Sequence, residues 1–326
     1  MRYYEIALSP KGGGAATKVW TSYPNGSNDP GALNVEIDVL SSYFGIPAGD
    51  VGSSTITIEG ISLEDLQQAK NFAYQTITLK GGMKAGLPLA QPQQAGLLLQ
   101  GQVWESFANW VGTEMNLTFV VVPGDYSISR PGNIVLNWQK GQSLADALAT
   151  TFSIAYPTYT VAMDIGSQYV TDHQVLAYYP TIQALAKFIK ATTKTTSFSG
   201  VDVGIINGNT IIVSDGSQPS KAVQLQFIDF VGQPKWVGVD TMQFVTVMRH
   251  DIQVNSRVLM PKGLQDAPGI VQTGAASYPS QLHYKTSFQG LFLVQSVRHI
   301  GNFRDPNGQS WVSVFQATVL PGGANG

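Results

Sequence analysis

Apolar and polar residues alternate along several segments of the chain, which is the pattern of a β-strand with one buried face. The clearest case is the segment 33–40, and the segment 55–60 repeats it. Ser62, followed three residues later by Asp65, marks the start of one short helix. The N-terminal region thus predicts six or seven strands and a small closed or nearly closed barrel. The further strands are predicted at 3–8, 76–80, 96–110 and 116–122.

In the middle of the chain, the spacing of apolar residues changes from that of a strand to that of a helix. Apolar residues recur at helical spacing in the segments 143–152 and 181–192, which predicts two helices. Asn207-Gly208 lies between two apolar runs and is a strong signal for a tight β-hairpin. The segment 123–218 is therefore predicted to be an α+β insertion.

Strands return after residue 222, and the chain ends in two long β-rich arms, 288–303 and 310–320. The arms are separated by 305–308, whose residues Asp, Pro, Asn and Gly favour a type I turn followed by a left-handed bulge residue. This hairpin is expected to close a second β-barrel over 219–326. The predicted fold class is mainly β, with two β-barrel domains and a smaller mixed middle region. Shorter strands are predicted at 223–227, 242–248 and 254–260.

The terminal hairpin has one apolar face and one neutral-polar face, which suits a sheet that meets something other than bulk water on its second side. A glycine-rich loop predicted at 81–89 carries apolar residues that are either tucked in or reserved for a neighbour. We expect both regions to contribute to an interface. The candidate interface residues are Met83, Leu87, Leu89, Ser296, Arg298, Gln316 and Thr318.

Charged residues make up only 12% of the 326 residues, against about 25% in an average globular protein. A sparsely charged surface favours large permanent interfaces, because charge keeps exposed protein soluble and unassociated. The net charge of -2 gives no basis for nucleic-acid binding, and the absence of cysteine excludes disulfides and thiolate metal sites. No signal peptide or long apolar run is found, so we expect no membrane insertion and no targeting step.

Candidate chemistry is sparse. The four histidines lack metal-ligand spacing, and the cluster at 249–251 is interpreted as a solvated strand end. Glu36, Asp38 and Glu59 could imitate a glycosidase pair, but polar alternation in a sheet predicts the same carboxylates. The glycine-rich segment 12–16 lacks the lysine and helix of a phosphate-binding loop. The sequence therefore predicts no catalytic, cofactor-binding or metal-binding residues, and no enzyme.

Three parts of the sequence resemble runs in the baseplate hub proteins of contractile-tailed bacteriophages, the group that includes the hubs of Mu-like phages and related myovirus tails. The last of these parts is similar to the closing hairpin of that family. Together they span most of the chain. They are 81–90 with 95–101, then 205–214 with the turn 231–234 and the strand 242–251, and finally 290–301 with 311–313.

The resemblance implies two tube-like β-barrel domains, at 1–122 and 219–326, with a peripheral insertion at 123–218. It implies a homotrimer whose six barrels continue the symmetry of the tail tube. The expected partners are tail tube protein, a central spike or tip protein, and other baseplate proteins, with DNA only passing through the lumen. The expected location is the virion tail, after assembly in the host cytoplasm. The family offers no catalytic residues to carry over.

Two alternatives stay open at this point. A tail-associated cell-wall hydrolase would need an acid pair or a zinc triad in a cleft. A carbohydrate-binding β-protein would need exposed aromatic residues clustered on one face.

Overall fold

The computed structural model describes residues 1–11, 14–44, 54–84, 94–123, 134–195, 200–217, 221–238, 240–261 and 290–320. Antiparallel strands dominate these residues, so the predicted mainly β class with a mixed middle region is confirmed. The strands in chain order are β1 (Arg2–Ser9), β2 (Lys18–Thr21), β3 (Asn34–Ser42), β4 (Ser54–Glu59), β5 (Thr76–Met83), β6 (Gly96–Val111), β7 (Glu114–Pro123), β8 (Ile134–Trp138), β9 (Thr160–Asp164), β10 (Val175–Tyr179), β11 (Asp202–Ile206), β12 (Thr210–Ser214), β13 (Val223–Gln224), β14 (Lys235–Trp236), β15 (Thr241–Val247), β16 (Arg257–Leu259), β17 (Leu291–Asn302) and β18 (Trp311–Val319).

The helices begin where the sequence places their caps. Ser62 accepts a hydrogen bond from the Asp65 backbone N–H, and Ser143 caps the second helix in the same way. The α-helices are α1 (Leu63–Gln67), α2 (Leu144–Ala155) and α3 (Ile182–Thr193), and short 3-10 turns occupy Pro24–Gly26, Ala69–Phe72 and Phe227–Asp229.

One large sheet contains strands from both ends of the chain. Its order is β14-β15-β18-β17-β3-β4-β7-β6-β5-β1-β2, with β16 also paired to β17 and β13 to β16. We call β1 to β7 the N-terminal β unit, β8 to β12 with α2 and α3 the middle unit, and β13 to β18 the C-terminal β unit. The two β units therefore meet along one ladder, between β3 and β17.

Strand β17 changes partner at a bulge. Its first residues, Leu291 to Leu293, pair with β16, whereas Ser296 to Asn302 pair with β3. The register against β18 shifts between Val294 and Ser296, and the intervening Gln295 carbonyl accepts a hydrogen bond from the Tyr43 backbone N–H at 3.3 Å. A bulge bends and twists its strand, so this one lets a single strand serve both β units.

Three clusters of buried apolar side chains lie under these elements. The first lies within the N-terminal β unit and contains Ile37 and Phe119, and the second, in the C-terminal β unit, contains Phe315. The third lies between α2, α3 and their neighbouring strands and contains Phe152. Trp311 is an exception, because it belongs to β18 but is buried in the first cluster. The domain limits at 122/123 and 218/219 stay a prediction.

Several local predictions need correction. The sequence predicts a loop from residue 81, but β5 continues through Met83. Glycine allows this, because a Cβ on Gly81 would lie 2.6 Å from Leu98 Cδ1, and Gly82 has φ +128. The strands predicted at 223–227 and 254–260 are much shorter, since Phe227 starts a 3-10 turn. The apolar loop residues Leu87 and Leu89 lie outside the described residues.

Candidate subunit interface

The four central strands of the sheet, β4, β3, β17 and β18, present one face to their cores and one outward. Ladder partners point to the same side, so the register fixes which residues share the outer face. That face is built mainly from short neutral side chains. Its residues are Thr55, Thr57 and Glu59 on β4, Asn34, Glu36, Asp38, Leu40 and Ser42 on β3, Leu293, Ser296, Arg298, Ile300 and Asn302 on β17, and Val312, Val314, Gln316 and Thr318 on β18.

Four of the predicted interface residues share this face by register, although Ser296 is only 4% exposed and Thr318 lines the cleft beside the middle unit. Ser296 lies directly opposite Gln316, Arg298 lies opposite Val314, and Thr318 lies opposite Leu293. Met83 is not part of it, because its side chain is buried in the core of its own N-terminal β unit. Whether these residues contact another chain stays a prediction.

The charges on the outer face are few, and each has a partner. Arg298 donates from Nε and Nη2 to the two carboxylate oxygens of Asp38, both at 2.6 Å, across the β17 to β3 ladder. These hydrogen bonds raise the pKa of Arg298. Glu36 accepts from Asn302 Nδ2 at 2.8 Å. With Glu59, the face of these four strands carries three carboxylates against one guanidinium, so it is weakly acidic.

Trp311 joins the hairpin to the N-terminal β unit. Its indole Nε1 donates to the Gly82 carbonyl at 2.9 Å, and its ring meets Phe303 edge-on with centroids 6.0 Å apart. The ring lies against the backbone of Gly301, where a Cβ would be only 2.7 Å from the indole. Because Trp311 is fully buried, the hairpin and the first core form a common packed interior.

Arg2 holds the turn of the hairpin from the opposite end of the chain. Its guanidinium donates to the carbonyls of Asn302 at 2.8 Å, Phe303 at 3.3 Å and Asn307 at 2.7 Å, and also to the carbonyl of Asp305. Desolvation lowers the pKa of Arg2. The hairpin connection is confirmed, but the predicted type I turn at 305–308 is wrong, because the turn hydrogen bond runs from the Ser310 N–H to the Asn307 carbonyl at 3.1 Å and Gly308 does not have a positive φ. The geometry also depends on Arg2, about 300 positions away, which no local pattern indicates.

A buried polar network joins all three units. Tyr43 donates from its hydroxyl to Asn255 Oδ1 at 2.9 Å, and Asn255 Nδ2 donates to Asp164 at 2.9 Å. The Ser214 hydroxyl lies within 3.0 Å of both the Asp164 carboxylate and Asn255 Oδ1. Burial raises the pKa of Tyr43 well above its ordinary value, which keeps it a hydrogen-bond donor. Asn255 has φ 70, a conformation that asparagine tolerates better than most residues.

The cluster at 249–251 is not a solvated strand end, so that interpretation is wrong. Arg249 is 1% exposed and pairs with Asp251 through Nε and Nη2, at 2.6 and 2.5 Å, and with Asp229 at 3.3 Å. A buried guanidinium needs such partners to offset its desolvation. Nearby, His299 Nδ1 lies 2.8 Å from Ser313 Oγ, and burial, with the neighbouring His250, lowers the pKa of His299 to about 3. Arg249 and His299 are enclosed by protein, and their contacts are those of a structural core.

A cleft of 780 Å³ lies between the middle unit and the C-terminal β unit. Asp240, which lines the cleft, accepts the Thr241 hydroxyl at 3.1 Å. The other two carboxylates are engaged more closely: Asp202 pairs with Lys190 Nζ at 2.6 Å, and Asp215 accepts the Ser217 backbone N–H at 2.9 Å. Burial raises the pKa of Asp202, an effect that Lys190 opposes. These contacts give both carboxylates structural roles at the ends of β11 and β12.

Metal, membrane and sugar sites receive no support from the described part of the chain. Within it, no group of three metal-ligating side chains is placed to hold an ion. The described helices are all too short or too polar to cross a membrane. Phe107 and Trp110 are exposed aromatic residues on β6, but the β6 to β7 register places them on opposite faces of the hairpin, which does not make a flat sugar platform.

Comparison with known proteins gives matches by structure only. No protein-family model and no curated protein sequence matches the chain. A tail protein from Neisseria meningitidis MC58 superposes with a TM-score of 0.50 at 11% identity, over 97% of this chain and 96% of that one. The 43 kDa tail protein of prophage MuSo2 from Shewanella oneidensis gives 0.51 at 8% identity, over 98% and 97%.

A third similar structure is the c3393 protein of E. coli, described as a component of the type VI secretion system with structural similarity to the T4 tail proteins gp27 and gp5. It gives a TM-score of 0.51 at 11% identity, over 89% of this chain and 73% of that chain. The chain therefore has the fold of phage tail proteins over nearly its whole length. The resemblance drawn from the sequence is confirmed at the level of the fold.

Proposed function

We propose that this chain is a structural baseplate hub of a contractile phage tail. Three copies form a ring of pseudo-sixfold symmetry that joins the tail tube to the central spike. The observation that carries the proposal is the ladder between β3 and β17, because it fixes two β units side by side in one chain. Three such chains supply six β units, which is the number that a sixfold tube requires.

The fold likeness to phage tail proteins supports this role along most of the chain. The low content of charged residues, 12%, supports it independently, since a sparsely charged surface is suited to permanent contacts. The partners of the ring are tail tube protein on one side, the spike or tip protein on the other, and baseplate proteins outside. The particle is assembled in the host cytoplasm and the chain stays in the virion.

The outer face of the central strands is assigned to the ring's lumen or to a neighbouring β unit. Short neutral side chains with a weakly acidic balance suit a channel through which DNA passes, because unpaired lysine or arginine would hold the phosphate backbone. Arg298 is compatible with this arrangement, since both carboxylate oxygens of Asp38 already bind its guanidinium.

The test is a mass measurement in solution, by light scattering or native mass spectrometry, on the purified chain of 35.0 kDa. We expect a species of three chains. A matched pair of variants refines the test: Gln316→Lys adds one charge to the outer face, and Ala149→Lys adds one to the exposed side of α2. The first should prevent ring assembly while the fold is retained, and the second should not. A stable monomer at micromolar concentration contradicts the hub.

A further inference from the structure

Two exposed apolar clusters lie in different β units. The first, which we call the hairpin patch, consists of Trp104, Phe107, Trp110 and Val111 on β6. Trp110 is 60% exposed even though its indole N–H is bonded to the Gly112 carbonyl at 2.9 Å. Large exposed apolar side chains grouped on one element indicate a contact surface.

The hairpin patch is carried by a projecting tip. The ladder of β5 with β6 ends at Gln102 and that of β4 with β7 ends at Asn116, although Val103 and Met115 still bond to the chain that follows or precedes these neighbours. One face of the hairpin is packed against the first core through Ala108 and Met115, so the exposed tip beyond them is the part that a partner can cover. The charged residues within 94–123 are Glu105 and Glu114. The hairpin itself is therefore apolar with two carboxylates, and the exposed Lys70 follows Ala69, whose carbonyl accepts the Ser106 hydroxyl.

The second cluster, the turn patch, consists of Phe227, Ile228 and Leu259. Phe227 is 70% exposed, and Leu259 lies alongside because its carbonyl accepts the Leu225 N–H at 2.9 Å. The exposed charged residues within the described segment 221–238 are lysines, Lys221 and Lys235. This patch is apolar with a basic surround.

The turn patch is presented rigidly. Asp229, the last residue of the 3-10 turn, accepts the Gln226 backbone N–H at 2.8 Å. The same carboxylate group pairs with the buried Arg249 at 3.3 Å. The two apolar side chains are thus held outward by a turn that is anchored in the core, and a rigid exposed aromatic anchor loses little entropy when it is buried against a partner.

The sheet order separates the two patches. β6 stands three places from β3, and β15, which the turn region adjoins through the Phe230 to Thr246 bridge, stands two places from β17. The β3 to β17 ladder lies between them. In a ring of chains placed side by side, the β unit that carries the hairpin patch must adjoin the C-terminal β unit of the next chain.

We propose that the hairpin patch of one copy docks on the turn patch of the next copy. Apolar surface meets apolar surface, and Glu105 and Glu114 meet Lys221 and Lys235. Because the two surfaces of one chain are different, they make a head-to-tail contact. Such contacts close into a ring of three when each copy is rotated by one third of a turn relative to the previous one. The inference rests on the proposed ring and adds the surfaces that close it.

Cross-linking between engineered cysteines tests the contact, and the chain is suited to it because it contains no native cysteine. Val111→Cys and Ile228→Cys are made as single variants, co-expressed, and also combined in one chain. Ile154→Cys is the matched control, since Ile154 is exposed but lies at the end of α2, outside both patches. A short bis-maleimide is added to the assembled protein, and the products are separated under denaturing conditions.

We expect the co-expressed pair to give covalent dimers that contain one copy of each variant, and the double variant to give covalent trimers. The pair of Val111→Cys with Ile154→Cys should give none. An assembly of three chains without the expected cross-link, or with equal linkage to Ile154→Cys, overturns this contact and leaves the ring standing. A wild-type chain that is monomeric by mass overturns the ring and the contact together.

Discussion

Trp311 provides the sharpest test of how the two β units are joined. We predict that Trp311→Phe lowers the free energy of unfolding substantially, although it conserves an aromatic ring. The indole donates to the Gly82 carbonyl in a fully buried position, so removing the N–H leaves that carbonyl without this partner. An unsatisfied buried polar group costs about 1–3 kcal/mol.

The smaller ring adds a second cost. The indole fits closely over Gly301 and against Phe303, so phenylalanine leaves a void beside them. A methyl-sized cavity costs about 1 kcal/mol. The two effects together predict a loss of about 2–4 kcal/mol.

Denaturant unfolding followed by fluorescence and circular dichroism measures the loss, at two protein concentrations so that subunit association is separated from folding. Trp110→Phe is the matched control: it also removes an indole bond to a carbonyl, but at a site that water reaches. The control should change the free energy of unfolding of the dissociated chain by no more than about 0.5 kcal/mol. If Trp311→Phe costs less than about 1 kcal/mol, or no more than the control, the two β units are not joined as described.

Three further predictions follow from the buried and bridging groups. In the folded protein the pKa of His299 is lowered from 6.5 to about 3. At pH values between these two, the unfolded state therefore binds one more proton than the folded state. Acidification through this range lowers the free energy of unfolding. The slope is about 1.4 kcal/mol per pH unit, and His299→Gln should lose it; an unchanged pH slope in denaturant titrations would refute the assignment. Asn255→Gly should lower the free energy of unfolding by about 1–3 kcal/mol, because the amide contacts are lost. Asn255→Ala should lower it by about 1 kcal/mol more, because alanine is strained at the positive φ of this residue. Equal losses for the two variants in denaturant unfolding would contradict this role of the backbone. The side chains of Arg298 and Asp38 are 50% and 39% exposed, so their ion pair is screened by water and salt. A double-mutant cycle with Arg298→Met and Asp38→Asn should give a coupling free energy below about 1 kcal/mol that falls as salt is added. A coupling that does not change with salt would contradict this assignment.

Local patterns predicted the elements whose causes are local. Alternation located β3 and β4, capping residues located α1 and α2, and Asn207-Gly208 located a hairpin in which both residues have positive φ. The position of the terminal hairpin was also predicted, but its turn hydrogen bond closes 307–310 instead of 305–308, and Gly308 lacks the left-handed φ that its residue type indicated. Strand β9 was missed because it is short and pairs in parallel with β12, which follows it by some fifty residues.

Long-range features could not be predicted in this way. The bulge at Gln295 that lets β17 serve two partners depends on neighbours far along the chain. The same is true of the Tyr43 network and of Arg249, which was expected in solvent because charge usually is. Among the candidate interface residues, Ser296, Arg298, Gln316 and Thr318 share a face as hairpin register requires. Met83 lies apart from them, in the first core, because the glycine-rich run continues as a strand.

The most direct test of the proposed hub is electron cryomicroscopy of the assembled particle, viewed along its axis. We predict a ring of three chains at the end of the tail tube, with six β units around the lumen and the outer face of β17 and β18 turned toward the lumen or a neighbouring unit. A ring with a different number of β units, or density for this chain away from the tube end, would contradict it.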